Sequence, residues 1–168
     1  MALRIEPLVA RHLGDVRRLF TMMTVERLTV VPYPLMDDEE IDCFILSTYR
    51  NLEHNPYAQG WVAMRGHKVV GFICFEIMHR AVGKPHQHAT VHWMYVHPAH
   101  RHHGLANRLI MAGVQWVRDQ GVTHAEFCAM PDDPQWSQHG VNIATVNHWI
   151  TVDDSTRLFR SLNLVRSA

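Results

Sequence analysis

The stretch Val96-His97-Pro98-Ala99-His100-Arg101-His102-His103-Gly104-Leu105-Ala106 lies where two periodicities meet. Before it, residues 89–96 read as a strand that Pro98 brings to an end. After it, Leu105, Leu109, Ala112, Gly113 and Trp116 share one helical stripe, with Ala106, Ile110 and Val117 beside them and Arg108, Gln115 and Arg118 elsewhere. Gly121 is placed to stop that helix, and residues 125–130 read as the next strand. Strand, helix, strand is the crossover that joins neighbouring parallel strands. The junction also has the chemistry of an anion cradle. The first turn of a helix leaves backbone N–H groups without intrahelical partners and carries about half a positive charge. Gly104 and Ala106 keep side chains small there, while Arg101, and His102 or His103 when protonated, add charge.

Upstream, residues 61–65 and 69–78 are strand-like on either side of Gly66-His67-Lys68, which reads as a hairpin turn. Asp37-Asp38-Glu39-Glu40 precedes Ile41, Phe44, Ile45 and Tyr49, an acidic first turn ahead of a helix, and residues 30–34 form a loop with two prolines. Leu13, Val16, Leu19 and Phe20 recur at helical spacing within residues 10–23, after a short strand over 3–5. Downstream, 131–140 is turn-rich, 141–152 is ambiguous between states, and 155–162 can form a short helix.

The chain has 168 residues, which predicts one domain over 1–168, and its 47% hydrophobic and 19% charged content fits a globular protein. Sixteen Lys plus Arg balance 16 Asp plus Glu, so neither nucleic acid nor an anionic membrane is expected as main partner. Cys43, Cys74 and Cys128 are far apart and form no CxxC pair, so no disulfide framework or thiolate zinc site is expected. No apolar run reaches the roughly 18 residues of a membrane span, and the start lacks a basic segment followed by an apolar one. A cytoplasmic protein is the expectation. Histidines 86, 88, 92, 97, 100, 102 and 103 crowd one stretch, but without carboxylates or cysteines at ligand spacing, so no metal is expected.

On its loop the chain resembles the GNAT superfamily of acyl-CoA-dependent N-acyltransferases, whose pyrophosphate loop reads Gln or Arg, two residues, Gly, one residue, then Gly or Ala. Arg101-x-x-Gly104-x-Ala106 satisfies that pattern, Val96-His97-Pro98 matches the Val-x-Pro that leads into it, and Val69-Val70-Gly71-Phe72 looks like the family's third strand. The resemblance implies an α/β (α+β) fold: a central mixed, mostly antiparallel sheet, a V-shaped splay between two parallel strands, and helices on both faces. It implies an N-acetyltransferase that moves an acetyl group from acetyl-CoA to a primary amine, on a small molecule or a peptide, by direct attack in a ternary complex. Met94, Tyr95 and Val96 would then pair with the pantetheine arm of coenzyme A. Arg101, His102, His103, Gly104, Leu105 and Ala106 would hold the diphosphate, with Asn107 adding a side-chain contact. Because His100, His102 and His103 flank the loop, coenzyme affinity is expected to rise as pH falls from about 7.5 to 6.

Attack by a neutral amine needs a base. Glu126, within Ala125-Glu126-Phe127, resembles the base glutamate of ribosomal-protein alanine N-acetyltransferases, and desolvation on an apolar strand would raise its basicity; a salt-bridged strand-edge glutamate is the competing reading. His92 is the second candidate, on one face with Thr90 and Met94 by alternation, and Glu76 on the neighbouring strand is a third. Thr90 itself occupies a place where other members carry a base glutamate. Where many members have a tyrosine that protonates the departing thiolate, this chain has Phe159, so Tyr95, Ser155 or water must do it, or the chain is a degenerate acyl-CoA-binding module without turnover. The insertion 131–152 is longer than the family's usual link and the C-terminus is short. Either 141–152 supplies a strand, with Asn142 or Asn147 replacing the family's missing asparagine, or a second copy completes the sheet as a homodimer. The acidic run 37–40 either attracts a cationic amine or is a solvated helix start, and Trp61, Trp93, Trp136 and Trp149 line a pocket or belong to the core.

Overall fold

The structure, a computed structural model, describes residues 3–28, 36–80, 86–101, 104–129 and 146–151. Strand β1 (Leu3–Pro7) runs antiparallel to β2 (Ala58–Arg65), with Leu3 level with Arg65 and Pro7 with Trp61. The chain reverses at Gly66, whose φ of 65° suits glycine, into β3 (Lys68–Arg80). With β4 (His86–Val96), β5 (His124–Ala129) and β6 (Val146–Thr151) these form a six-stranded sheet in the order β1-β2-β3-β4-β5-β6. β4 and β5 are parallel, pairing Ala89 with Ala125, Thr90 with Glu126 and Val91 with Phe127, whereas β5 and β6 are antiparallel. The sheet is therefore mixed, as expected. The register with β5 is recorded up to Val91, while β4 itself continues to Val96.

Between β1 and β2 come a 3-10 turn at Ala10–His12, helix α1 (Leu13–Leu28) and helix α2 (Asp38–His54). The acidic run does helix work. Asp37 is the N-cap: its carboxylate accepts the Glu40 N–H at 2.8 Å, and Glu40 accepts the Asp37 N–H at 2.9 Å, a reciprocal capping box. Asp38 and Asp42 both pair with Arg17 of α1, which joins the two helices. Helix α3 (Leu105–Asp119) makes the crossover from β4 to β5. It ends as the sequence predicts: Gly121 has a φ of 75°, its N–H donates to Arg118 O at 2.9 Å, and the Val122 N–H donates to Val117 O at 3.1 Å. These two bonds satisfy carbonyls that the last turn would otherwise leave open.

The chain divides into two compact units, Met1–Cys74 with Trp93–Gly113, and Phe75–His92 with Val114–Ala168. In the first, Leu19 and Phe20 of α1 form one buried core cluster with Val62, Val69 and Phe72 of the sheet and with Ile41 and Ile45 of α2. Phe20 stacks on Phe44 at 4.8 Å, and Trp93 meets both edge-on at 5.4 and 5.1 Å, so Trp93 belongs to this aromatic core. In the second, Phe75, Ile77, Ala89, Val91, Val117 and Ala125 are buried. Among the described residues no helix is long and apolar enough to cross a membrane.

The ambiguous segment 141–152 does supply a strand, since β6 lies within it and puts Asn147 level with Cys128. Asn142, Ser155, Phe159, Trp136, the loop 30–34 and the helix expected over 155–162 lie outside the described residues.

Candidate active site

The loop after β4 is anchored before it turns. The His97 N–H donates to Val70 O at 2.9 Å, tying the strand end to β3. At Gly71 a Cβ would stand 3.1 Å from Tyr95 O and 3.3 Å from side-chain carbons of Leu109 and Val96, so glycine is what lets β3, β4 and α3 approach this closely. A 3-10 turn at Pro98–His100 follows, capped by His97 Nδ1, which accepts the Ala99 N–H at 3.2 Å. Gly104 then adopts a φ of 69°, and its carbonyl accepts the Arg108 N–H at 3.1 Å, which begins α3. Among the described residues beyond its chain neighbours, no atom lies within 4 Å of a Cβ built on Gly104. Glycine is favoured here by backbone handedness rather than by lack of space among the described residues. The first-turn N–H groups of Leu105, Ala106 and Asn107 form the positive end of this helix. Leu105 is buried and so anchors the turn, while Ala106 and Asn107 are half-buried. His102 and His103 lie outside the described residues.

The Arg101 side chain does not follow the loop outward. Its two terminal nitrogens grip the Glu26 carboxylate of α1 at 2.5 and 2.7 Å, and its Nε donates to Val96 O at 3.0 Å. The Tyr95 hydroxyl donates to the same carboxylate at 2.8 Å, and the guanidinium carbon lies 5.3 Å from the centre of the Tyr95 ring. The Arg101 hydrogen bond, helped by Tyr95, holds the Glu26 carboxyl below the usual carboxylate range, and Glu26 in turn raises Arg101. Burial, reinforced by Glu26, pushes the Tyr95 phenol up to about 12. Tyr95 thus commits its hydroxyl hydrogen bond to a carboxylate of the first unit and keeps its proton. His100 is also engaged, its Nδ1 accepting from the Arg65 guanidinium at 3.1 Å.

Two of the candidate bases meet in the second unit. His92 Nε2 on β4 lies 2.8 Å from Glu76 Oε2 on β3, with the His92 side chain 40% exposed and that of Glu76 24% exposed. A neutral imidazole that donates Nε2–H to Glu76 keeps its lone pair on Nδ1. Glu126 occupies a register position level with Thr90 on one side and Trp149 on the other; its side chain lies outside the described residues. Met94 is half-buried on β4. Among the described residues no group of three His, Cys, Asp or Glu stands where it could hold a metal ion.

Sequence reasoning missed Glu26, because nothing local marks a residue 75 positions from its partner Arg101. It missed His12 too, a buried side chain whose Nδ1 accepts the Val9 N–H at 3.2 Å and whose Nε2 lies 3.0 Å from Glu6.

Residues 22–137 match the family model described as the acetyltransferase (GNAT) family. The fold is shared with several solved structures. An acetyltransferase from Vibrio fischeri is 22% identical with a TM-score of 0.60, over 74% of this chain and 93% of the other. The PaiA N-acetyltransferase from Thermoplasma acidophilum, solved in complex with coenzyme A, is 12% identical with a TM-score of 0.66, over 90% and 99%. A ribosomal-protein-alanine N-acetyltransferase from Brucella melitensis is 18% identical with a TM-score of 0.61, over 90% and 96%. No curated protein sequence matches the chain.

Proposed function

The chain belongs to the acetyltransferase (GNAT) family, and from that premise we propose that it transfers the acetyl group of acetyl-CoA to a primary amine by direct attack in a ternary complex. The observation that carries this reading is the open N-terminus of α3 behind a left-handed Gly104, preceded by a strand end tied to β3. First-turn N–H groups and the helix field suit a diphosphate without a basic surface, in keeping with a formal net charge of zero. The backbone of Met94, Tyr95 and Val96 is the strand edge proposed for the pantetheine arm. The acceptor is a small-molecule or peptide amine.

In this reading the amine nitrogen attacks the thioester carbon while His92 Nδ1 takes the proton, the ring being oriented by its bond from Nε2 to Glu76. The C–S bond then breaks, and the thiolate takes its proton from solvent, since Tyr95 is committed to Glu26. Glu126 is the alternative base, at the register opposite Thr90.

A panel of amines offered with acetyl-CoA, followed by release of free thiol, tests the activity. Intersecting initial-velocity patterns are expected, and parallel lines would rule out the ternary complex. Coenzyme binding without turnover on any amine would make the chain a binding module instead. His92→Ala should lower kcat by roughly 10²–10⁴-fold with coenzyme affinity retained, the range for a lost general base. An unaltered rate in His92→Ala together with a collapse in Glu126→Gln would transfer the role to Glu126.

A further inference from the structure

Arg101 carries the positive charge that the loop pattern offers to a diphosphate, yet all three of its guanidinium nitrogens are directed elsewhere. Two grip Glu26 and the third binds Val96 O, the carbonyl of the last β4 residue. The bond to Val96 closes the loop on the strand it leaves. The fork onto Glu26 fastens the same loop to the last turn of α1, and Tyr95 fills a further acceptor site on that carboxylate. Fork-to-fork geometry fixes orientation as well as distance, which a point charge does not. The carboxylate also cancels the guanidinium charge beside the loop.

We propose that Glu26 is a positioning residue for coenzyme A: with Arg101 and Tyr95 it forms a clamp that holds the loop from Val96 to Arg101 in its binding shape, and the Arg101 side chain does not contact the diphosphate. In place of the Arg101 side chain, the anion is met by backbone N–H groups of the first turn of α3, already aligned before it arrives, so less ordering is needed on binding. This inference rests on the coenzyme reading of the loop given above.

Two single variants separate the clamp from a direct role of Arg101, because the alternatives differ in sign. If Arg101 were an anion ligand held in check by Glu26, Glu26→Gln would release a cation and tighten coenzyme binding, while Arg101→Gln would weaken it. A clamp requires both variants to weaken binding, by about five- to tenfold, the range for a lost charge-assisted pair that is partly exposed. It also requires the double variant to be no worse than either single one. Arg101→Lys, which keeps the charge and loses the fork, should fail to restore affinity. Calorimetric titration of the full chain with coenzyme A reads these changes, with thermal melts to confirm that each variant folds. In turnover the KM for acetyl-CoA should rise in proportion while kcat stays within about twofold, the signature of lost uniform binding. Opposite shifts in the two single variants, or lowered melting points with unchanged affinity, overturn the clamp and leave the coenzyme reading standing. Absence of coenzyme binding by the unaltered chain overturns both.

Discussion

Gly104 shows how a single residue can answer to conformation without answering to space. A φ of 69° disfavours most side chains although, among the described residues beyond its chain neighbours, nothing crowds the position. Gly104→Ala should therefore lower stability by about 1–2 kcal/mol in denaturant titration, the strain of a left-handed alanine. Gly104→Glu adds a carboxylate at the helix start and should abolish coenzyme binding in calorimetry. Glu26 yields a pH prediction whose sign follows from its depressed folded value. Its contribution is fully present above the unfolded value, near 4.5, and is lost as pH falls through the lower folded one. The stability difference between the unaltered chain and Glu26→Gln should shrink as pH is lowered below about 4.5, and should be modest throughout because the side chain is 45% exposed. The expected rise of coenzyme affinity between pH 7.5 and 6 loses one contributor, since a second proton on His100 would have to displace the Arg65 bond at Nδ1.

At the scale of the elements, capping and periodicity made α2 and α3 legible before any tertiary contact was known. The acidic run before α2 is explained by its capping box and by Arg17, so Asp37→Ala should destabilise by about 1 kcal/mol and leave the KM for every amine substrate unchanged. A raised KM confined to cationic amines would restore the acceptor-attracting role to that run. Strand β6 was not legible in the same way. Residues 146–151 have no decisive alternation, and the pairing of Thr151 to Val146 with His124 to Ala129 is what makes them a strand. Strand β2 likewise begins at Ala58, earlier than its pattern suggested, although β1 pairs only with its later part, Trp61 to Arg65.

For the molecule as a whole, the sequence pI of about 7.3 and the balance of 16 Lys plus Arg with 16 Asp plus Glu predict a solubility minimum near neutral pH and a rise toward pH 6, as the chain takes up protons and gains net charge. Precipitation with a polymer across that range would check it. A formal net charge of zero is compatible with an anion site, because backbone N–H groups at one helix end can hold an anion without any net charge. Contiguous features were legible from residue order alone: the strand, loop and helix around Gly104, the hairpin at Gly66, the caps of α2 and α3, and hence the family. Those features are set by dihedral preferences and hydrogen bonds a few residues apart. The turn of Arg101 inward to Glu26, 75 positions away, and the meeting of His92 with Glu76, 16 positions away, emerge from the folded arrangement. Such pairings depend on which strand and helix faces the fold brings together, and the isolated residues carry no local mark of their partners.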